Sequence, residues 1–362
     1  MKKIILSIIL VTVAALAFAA APKVTNVVAA PGTGQVTITY NLVADGNCDV
    51  QLLISDDGGT SYPYAPTAVS GDIGSNISTG TGKQIIWHPA GDGMATGTNY
   101  RAKVIADDNS GSFVLVEGGT FHNGSSNVTV SDFYMDQHEV TQAEYFAVMG
   151  SNPASGSGVG SDYPVYRVHW YSAIKYCNLR SISEGLTPVY SISGSTNPDS
   201  WGSVPQNNWN APNNSTWDAA TCNWGANGYR LPTEAEWEFA ARGGKQTLNY
   251  SYSGSSTIGD VAWYSINSGG ISHIVGTKVP NELGIYDMSG NENEWCWDWS
   301  GDYNTGQQTD PTGPENGSSR VYRGGSWNEA EYNCRVTYRR SQPPSRGDQK
   351  FGIRLCRSKL TD

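Results

Sequence analysis

The run Gly228-Tyr229-Arg230-Leu231-Pro232-Thr233-Glu234-Ala235-Glu236-Trp237-Glu238-Phe239-Ala240-Ala241-Arg242-Gly243-Gly244 constrains this chain more than any other stretch. It spells a loop entering a short helix with both ends written in. Thr233 is a good N-cap, and Glu236, three residues later, can return the hydrogen bond to form a capping box. Ala235, Trp237, Phe239, Ala240 and Ala241 supply helix formers and an apolar face. Gly243 can close the helix in a left-handed cap.

The chain is 362 residues long, enough for two domains, one of them with a sizeable core. Its 42 glycines, 12 tryptophans, 20 tyrosines and 15% charged residues point to a loop-rich, aromatic-packed fold and away from a helical bundle. Eleven of the tryptophans fall between Trp170 and Trp327, so the main core belongs to the second half. A net charge of −10, with no basic block beyond the N-terminus, disfavours nucleic acid or an anionic membrane as partner. Lys2 and Lys3 precede an apolar run from Ile4 to Leu16, and Ala17-Phe18-Ala19 fits a small-x-small cleavage site. Residues 1–19 therefore read as a signal peptide, and the apolar run is short for a membrane span. The expectation is an exported protein, periplasmic or extracellular, with no membrane span after cleavage. Six cysteines would permit disulfides there, but Cys48 stands alone in the first half. No cysteine or histidine spacing suits zinc.

From residue 20 to 108 short alternating runs (Val24 to Ala30, Gln35 to Val43, Asp49 to Ser55, Lys83 to Trp87, Asn99 to Ala106) are separated by turn clusters. They read as a small all-β sandwich of the immunoglobulin or fibronectin-III kind, a spacer or interaction module. Ser55-Asp56-Asp57-Gly58-Gly59 reads as a solvated hairpin turn before a calcium loop. Asp107 to Gly111 is a polar linker, and residues 109–362 form the second domain.

That second domain strings together distinctive blocks: Phe113 to Phe121, Tyr134 to Tyr145, Pro164-Val165 with Val168-His169-Trp170, and the opening run. Pro280 to Trp295, Arg323-Gly324-Gly325-Ser326-Trp327 and Phe351-Gly352-Ile353-Arg354 follow. In this order they resemble the formylglycine-generating-enzyme family, also called sulfatase-modifying factors. The resemblance implies an α+β fold of low regularity with a distant likeness to C-type lectins.

It also implies sites. The family's calcium site falls on Asp287 and Glu294 through side chains and on Gly290 and Glu292 through backbone carbonyls. Hard oxygen donors of that kind suit a structural Ca2+. A second family calcium site needs an Asn-hydrophobic pair where this chain has Val261-Ala262, so that site is not expected. Active members hold copper(I) on two thiols, the first three residues after Gly-Gly-Ser and the second five later. Counted from Ser326, those positions are Glu329 and Cys334. One is a carboxylate, and aligning Arg335 to Arg339 with the family shifts Cys334 off the second position. A lone thiolate cannot make the two-coordinate copper(I) centre. Cys334 is then expected to be buried or disulfide-bonded, with Cys356 as its best partner, although sequence does not fix connectivity. By the same resemblance Tyr322, Arg323, Ser326, Trp327, Glu329 and Arg339 line a groove that holds an extended peptide in active relatives. Were the chain active, Cys334 and Ser326 would be its catalytic residues.

Three functions compete. The first is a non-catalytic member binding a peptide, protein or glycan in that groove. The second is a copper-dependent formylglycine-generating oxidase acting on a sulfatase cysteine. The third is iron-based oxidative chemistry, ranked last because the histidine-bearing helical domain of such relatives has no counterpart in these blocks.

Overall fold

The computed structural model describes residues 23–43, 48–56, 58–59, 62, 64–94, 100–107, 113–205 and 213–359. The signal-peptide reading lies outside these residues. The chain divides into two compact units, Met1–Gly111 and Ser112–Asp362.

Apart from one 3-10 turn at Pro89–Asp92, the regular structure of the first unit is β among its described residues. Its strands are β1 (Lys23–Pro31), β2 (Val36–Val43), β3 (Cys48–Ser55), β4 (Val69–Gly71), β5 (Gly74–Ile77), β6 (Gly80–Trp87) and β7 (Arg101–Asp107). They form two antiparallel sheets, β1-β2-β6-β4 and β5-β3-β7. Period-two burial drives both: Ile38, Tyr40 and Leu42 of β2 join Val50, Leu52 and Ile54 of β3 in one apolar cluster.

The second unit is mixed α+β, with many short strands and few helices. Along the chain run β8 (Phe113–Val116), β9 (Gly119–His122), β10 (Asn127–Val130), β11 (Phe133–Asp136), α1 (Gln142–Met149) and α2 (Trp170–Ser183). Next come β12 (Tyr190–Ser191), α3 (Ser215–Asp218), β13 (Thr221–Cys222), β14 (Tyr229–Arg230), α4 (Glu234–Ala241) and α5 (Ile258–Val261). The last are β15 (Asn293–Trp299), β16 (Gln308–Thr309), β17 (Arg320–Arg323), β18 (Arg340–Gln342), β19 (Phe351–Gly352) and β20 (Cys356–Ser358). The two larger sheets are β14-β20-β11-β8 and β18-β17-β15-β19.

Aromatic side chains fill what short strands cannot. Trp170, Tyr171 and Tyr176 of α2 share one core cluster with Trp295, Tyr322 and Phe351. Trp237 and Phe239 of α4 share another with Met288, Val321 and Cys356. In the excursion before β13, Trp201 and Trp217 pack edge to face at 5.6 Å, while Trp209 lies outside the described residues.

Helix α4 begins as its sequence dictates. Glu236 N–H donates to Thr233 Oγ1 at 3.1 Å, and Thr233 N–H donates to Glu236 Oε2 at 2.8 Å. Gly243 has φ +88°, the left-handed closure. The expected single apolar face is incomplete, however, because all eight helical residues are buried. The three glutamates tolerate this by meeting arginines. Arg230 bonds both oxygens of Glu236 at 2.7 Å, Arg339 bonds both of Glu234, and Arg323 and Arg242 hold Glu238. Such paired burial is the condition under which charge is kept inside a protein.

Candidate functional site

The acidic loop comes first. Three residues between β15 and the preceding turn take left-handed backbone: Asp287 at φ +58°, Gly290 at +85° and Asn291 at +58°. Gly290 is required, since a Cβ there would collide with the Trp263 carbonyl. Gly290 N–H donates to Gly324 O at 2.9 Å and Trp327 N–H to Asn291 O at 2.7 Å, which ties the loop to the segment after β17. The side chains of Asp287, Glu292 and Glu294 are all buried.

Their partners differ. Glu294 receives Arg354 Nη2 at 2.7 Å and Trp237 Nε1 at 2.6 Å. Asp287 Oδ2 accepts from Gly276 N–H at 2.6 Å, but its Oδ1 is buried without a hydrogen bond, as are both Glu292 oxygens. Burial raises the Asp287 carboxyl above the usual carboxylate range, with the Gly276 N–H opposing. Glu139 reaches in from before α1, accepting from Glu292 N–H and from Asn291 Nδ2, each at 2.7 Å. An orphaned buried acceptor at Asp287 Oδ1 suits a cation. The other side-chain ligand expected of a calcium site, Glu294, is already shared with a guanidinium. Among the described residues no cluster of three or more Asp, Glu, His or Cys is spaced to hold a metal ion.

The expected groove is corrected by packing. Tyr322 lies in the core, edge-on to Phe351 at 4.8 Å, and Arg323 is spent on Glu238 and on the Tyr338 carbonyl. Ser326 and Trp327 are buried as well, with Trp327 Nε1 donating to Gln349 O at 3.2 Å. Arg339 is partly exposed but faces elsewhere, bonded to Glu234 and lying 4.4 Å over the Tyr303 ring. These side chains form a framework, not an exposed lining. Arg323 and Tyr322 are held inward by pairing with Glu294 and Trp295 of β15.

The thiol positions fare likewise. Glu329 accepts from Lys350 Nζ at 2.8 Å and is 7% exposed. Cys334 is fully buried beside Tyr252 and Val261, its Sγ against the Gly325 backbone. Burial, then the charges of Glu329 and Glu331, push its thiol up to about 12. The expected Cys334–Cys356 disulfide does not form. Cys334 and Cys356 are both free thiols, and Cys356 sits in the α4 cluster while Cys334 sits in another. A buried thiol opposite a salt-bridged carboxylate is not a copper(I) donor set, since that ion needs two accessible soft thiolates.

What the surface offers instead is an open basin of about 600 Å3 lined by Arg167, Asn328, Arg346, Asp348 and Lys350 with the intervening loop. Asp348 lies 3.6 Å from Arg346, and Lys350 is taken by Glu329. Arg167 is different. It holds a left-handed backbone at φ +62°, rare and costly for a side chain of its size. Its guanidinium has a 3.4 Å bond to the Ser155 carbonyl and no ion pair among the described residues. Sequence reasoning missed this basin. The only local hint was the Pro343 to Lys350 loop, rich in Pro, Gly and charge, just before Phe351.

Residues 102–359 match the family described as the sulfatase-modifying factor enzyme 1-like domain. The chain is 42% identical over 278 residues to chaperone protein LppX of Paenibacillus barcinonensis, covering 70% of this chain and 91% of that protein. It is 27% identical over 298 residues to the formylglycine-generating enzyme of Thermomonospora curvata, covering 68% and 93% respectively. Among solved structures, Treponema denticola variable protein 1 matches with a TM-score of 0.62 at 36% identity, over 68% of this chain and 95% of that one. With the capped α4 helix, the Gly-Gly-Ser-Trp corner and the acidic loop all in their places, this chain belongs to the sulfatase-modifying factor enzyme 1-like family.

Proposed function

We propose that the second unit is a non-oxidising member of this family that binds an extended polypeptide segment over the Arg167–Lys350 basin. The observation that carries this reading is the Glu329–Lys350 ion pair together with the burial of Cys334, where an oxidase needs two reachable thiolates. The unpaired Arg167 guanidinium supplies a point of attachment for a carboxylate of the ligand. A relative bearing the name chaperone is consistent with a client that is itself a protein chain. No helix among the described residues is long and apolar enough to cross a membrane. The signal-peptide-like run from Lys2 to Ala19 supports a location in the periplasm or outside the cell. The first unit serves as an immunoglobulin- or fibronectin-III-like sandwich that spaces or docks the second.

The test is direct. The protein, supplied with copper(I) and a peptide containing Cys-x-Pro-x-Arg, yields no aldehyde by mass spectrometry. It binds acidic peptides on an array, and Arg167→Ala weakens that binding by about tenfold, the equivalent of ~1.4 kcal/mol. Aldehyde formation would return the oxidase reading.

Calcium belongs to the same proposal. Asp287 Oδ1 and carbonyl oxygens of its loop are the donors left for it, with Glu294 shared between the ion and Arg354. Its role would be to pin the loop. Chelation then lowers the melting temperature and added Ca2+ restores it. An unchanged melting temperature would leave Arg354 as the loop's own cation.

A further inference from the structure

Glu234, Ala235 and Glu238 of α4 form one wall of a pocket of about 240 Å3 that shares no residue with the basin. The other walls come from the end of β15 and the stretch after it (Asp298 to Asn304), from Phe121 and Asn123 around β9, and from the segment around Gln308. That volume lies just below the roughly 300–1,000 Å3 of drug-sized sites, which fits a ligand of about one ring.

The two α4 carboxylates of its wall are already paired. Glu234 takes Arg339 at 2.7 and 2.8 Å and the Tyr303 hydroxyl at 2.9 Å, while Glu238 takes Arg323 and Arg242. The rings already carry cations: Arg339 lies over Tyr303, and Arg320 lies over Trp299, 3.5 Å from its centroid. A cationic ligand would therefore find Glu234 and Glu238 paired and the ring faces taken, which leaves the exposed Asp302 of the lining without an ion pair among the described residues. An anion would face the carboxylates of Glu234, Glu238 and Asp302 together. The lining selects against both signs of charge.

It is nonetheless well supplied with hydrogen-bonding groups. Asp298 is 4% exposed, its Oδ2 accepts from Glu234 N–H at 2.8 Å, and its second oxygen is left for the pocket it lines. Burial first, then the charge of Glu234, raises its carboxyl to about 8, so at neutral pH it carries a proton to donate. Asn123 and Asn304 spend their Oδ1 atoms on the turn N–H groups of Ser126 and Gly306, which frees their amide NH2 groups as donors. Phe121 adds an apolar wall.

We infer that this pocket binds a single neutral sugar ring, its hydroxyls met by Asp298, Asn123, Asn304 and Gln308 and its apolar edge by Phe121. A pyranose matches the mixture of paired charge, free donors and ring carbon better than any ion does. This inference is independent of the polypeptide basin and stands or falls without it.

The full-length protein is titrated at pH 7 with glucose, galactose, N-acetylglucosamine and putrescine, followed by saturation-transfer NMR and calorimetry. Expected is millimolar or tighter binding of at least one sugar, weakened at least tenfold by Gln308→Ala and by Asn304→Ala. Gln308→Ala breaks no turn, so it remains readable if Asn304→Ala perturbs the loop. Asp298→Asn, which keeps a donor in the same place, retains the sugar. Binding of putrescine alone, no binding of any sugar at tens of millimolar, or sugar binding indifferent to both Gln308→Ala and Asn304→Ala overturns the inference.

Discussion

Helix α4 and the loop from Asp287 to Glu294 both bury several carboxylates, and they resolve the cost in opposite ways. In α4 each glutamate meets a guanidinium: Glu234 with Arg339, Glu236 with Arg230, Glu238 with Arg323. In the loop Arg354 bonds Glu294, while Asp287 Oδ1 and both Glu292 oxygens have no hydrogen bond. Buried carboxylates that lack a partner hold on to protons or recruit a cation, and Glu292 is accordingly raised well above the usual range by burial and by Glu139. The helix is thus electrically complete and reads as framework. The loop is completed from outside, which is where an ion or a proton can act on stability.

The contrast can be attacked first at the helix. Arg323→Ala leaves Glu238 with Arg242 alone and is expected to cost about 3–5 kcal/mol in urea unfolding, the range for breaking a buried pair. A loss below ~1 kcal/mol would mean the helix charges are not interlocked. Urea unfolding with and without a chelator probes the loop in the same units.

The helix starts extend the comparison. His169 caps α2 by accepting Ser172 N–H on Nδ1 at 3.2 Å, and burial pulls its imidazole down to about 4. The unfolded chain takes up a proton near pH 6.5 that the folded one refuses, so this residue's contribution to stability is lost as pH falls through that window. Between pH 7 and 5 the loss is about 2 kcal/mol. His169→Asn keeps a capping acceptor without the titration. It should flatten the wild-type pH dependence by that amount, and parallel curves for the two proteins would refute the assignment.

The smallest effect belongs to Thr233, whose hydroxyl does not titrate. Thr233→Ala is expected to cost about 1 kcal/mol equally at pH 5 and 7. A pH-dependent cost would tie this cap to the neighbouring carboxylates and blur the distinction between the two helices.

Much of this was legible beforehand because it is local. A Thr followed three residues later by Glu makes a capping box wherever it falls, and both Thr141–Glu144 and Thr233–Glu236 do so. The family resemblance put Asp287, Gly290 and Glu294 in one acidic loop, and the chain does turn there, with Asp287, Gly290 and Asn291 in left-handed backbone. The groove failed for a reason of the opposite kind. Tyr322, Arg323, Ser326 and Trp327 are types that occur on binding surfaces, but β17, which carries the first two, is paired on both sides, with β15 and β18. Ser326 and Trp327 are buried in the turn beyond it, where Trp327 N–H donates to Asn291 O. The disulfide failed likewise, since two cysteines separated by 22 positions can belong to different clusters.

By itself, then, the sequence determined the mixed α+β family domain, its capped helices and the missing thiol pair. Each is set by residue identity or by hydrogen bonds within one turn of chain. Tertiary structure alone decided which charged groups face water. The glutamates of α4 find arginines as far away as Arg339, while Arg167, from the loop before α2, is left without one beside Lys350. Burial and ion pairing depend on contacts between residues distant in the chain, and no local pattern records them.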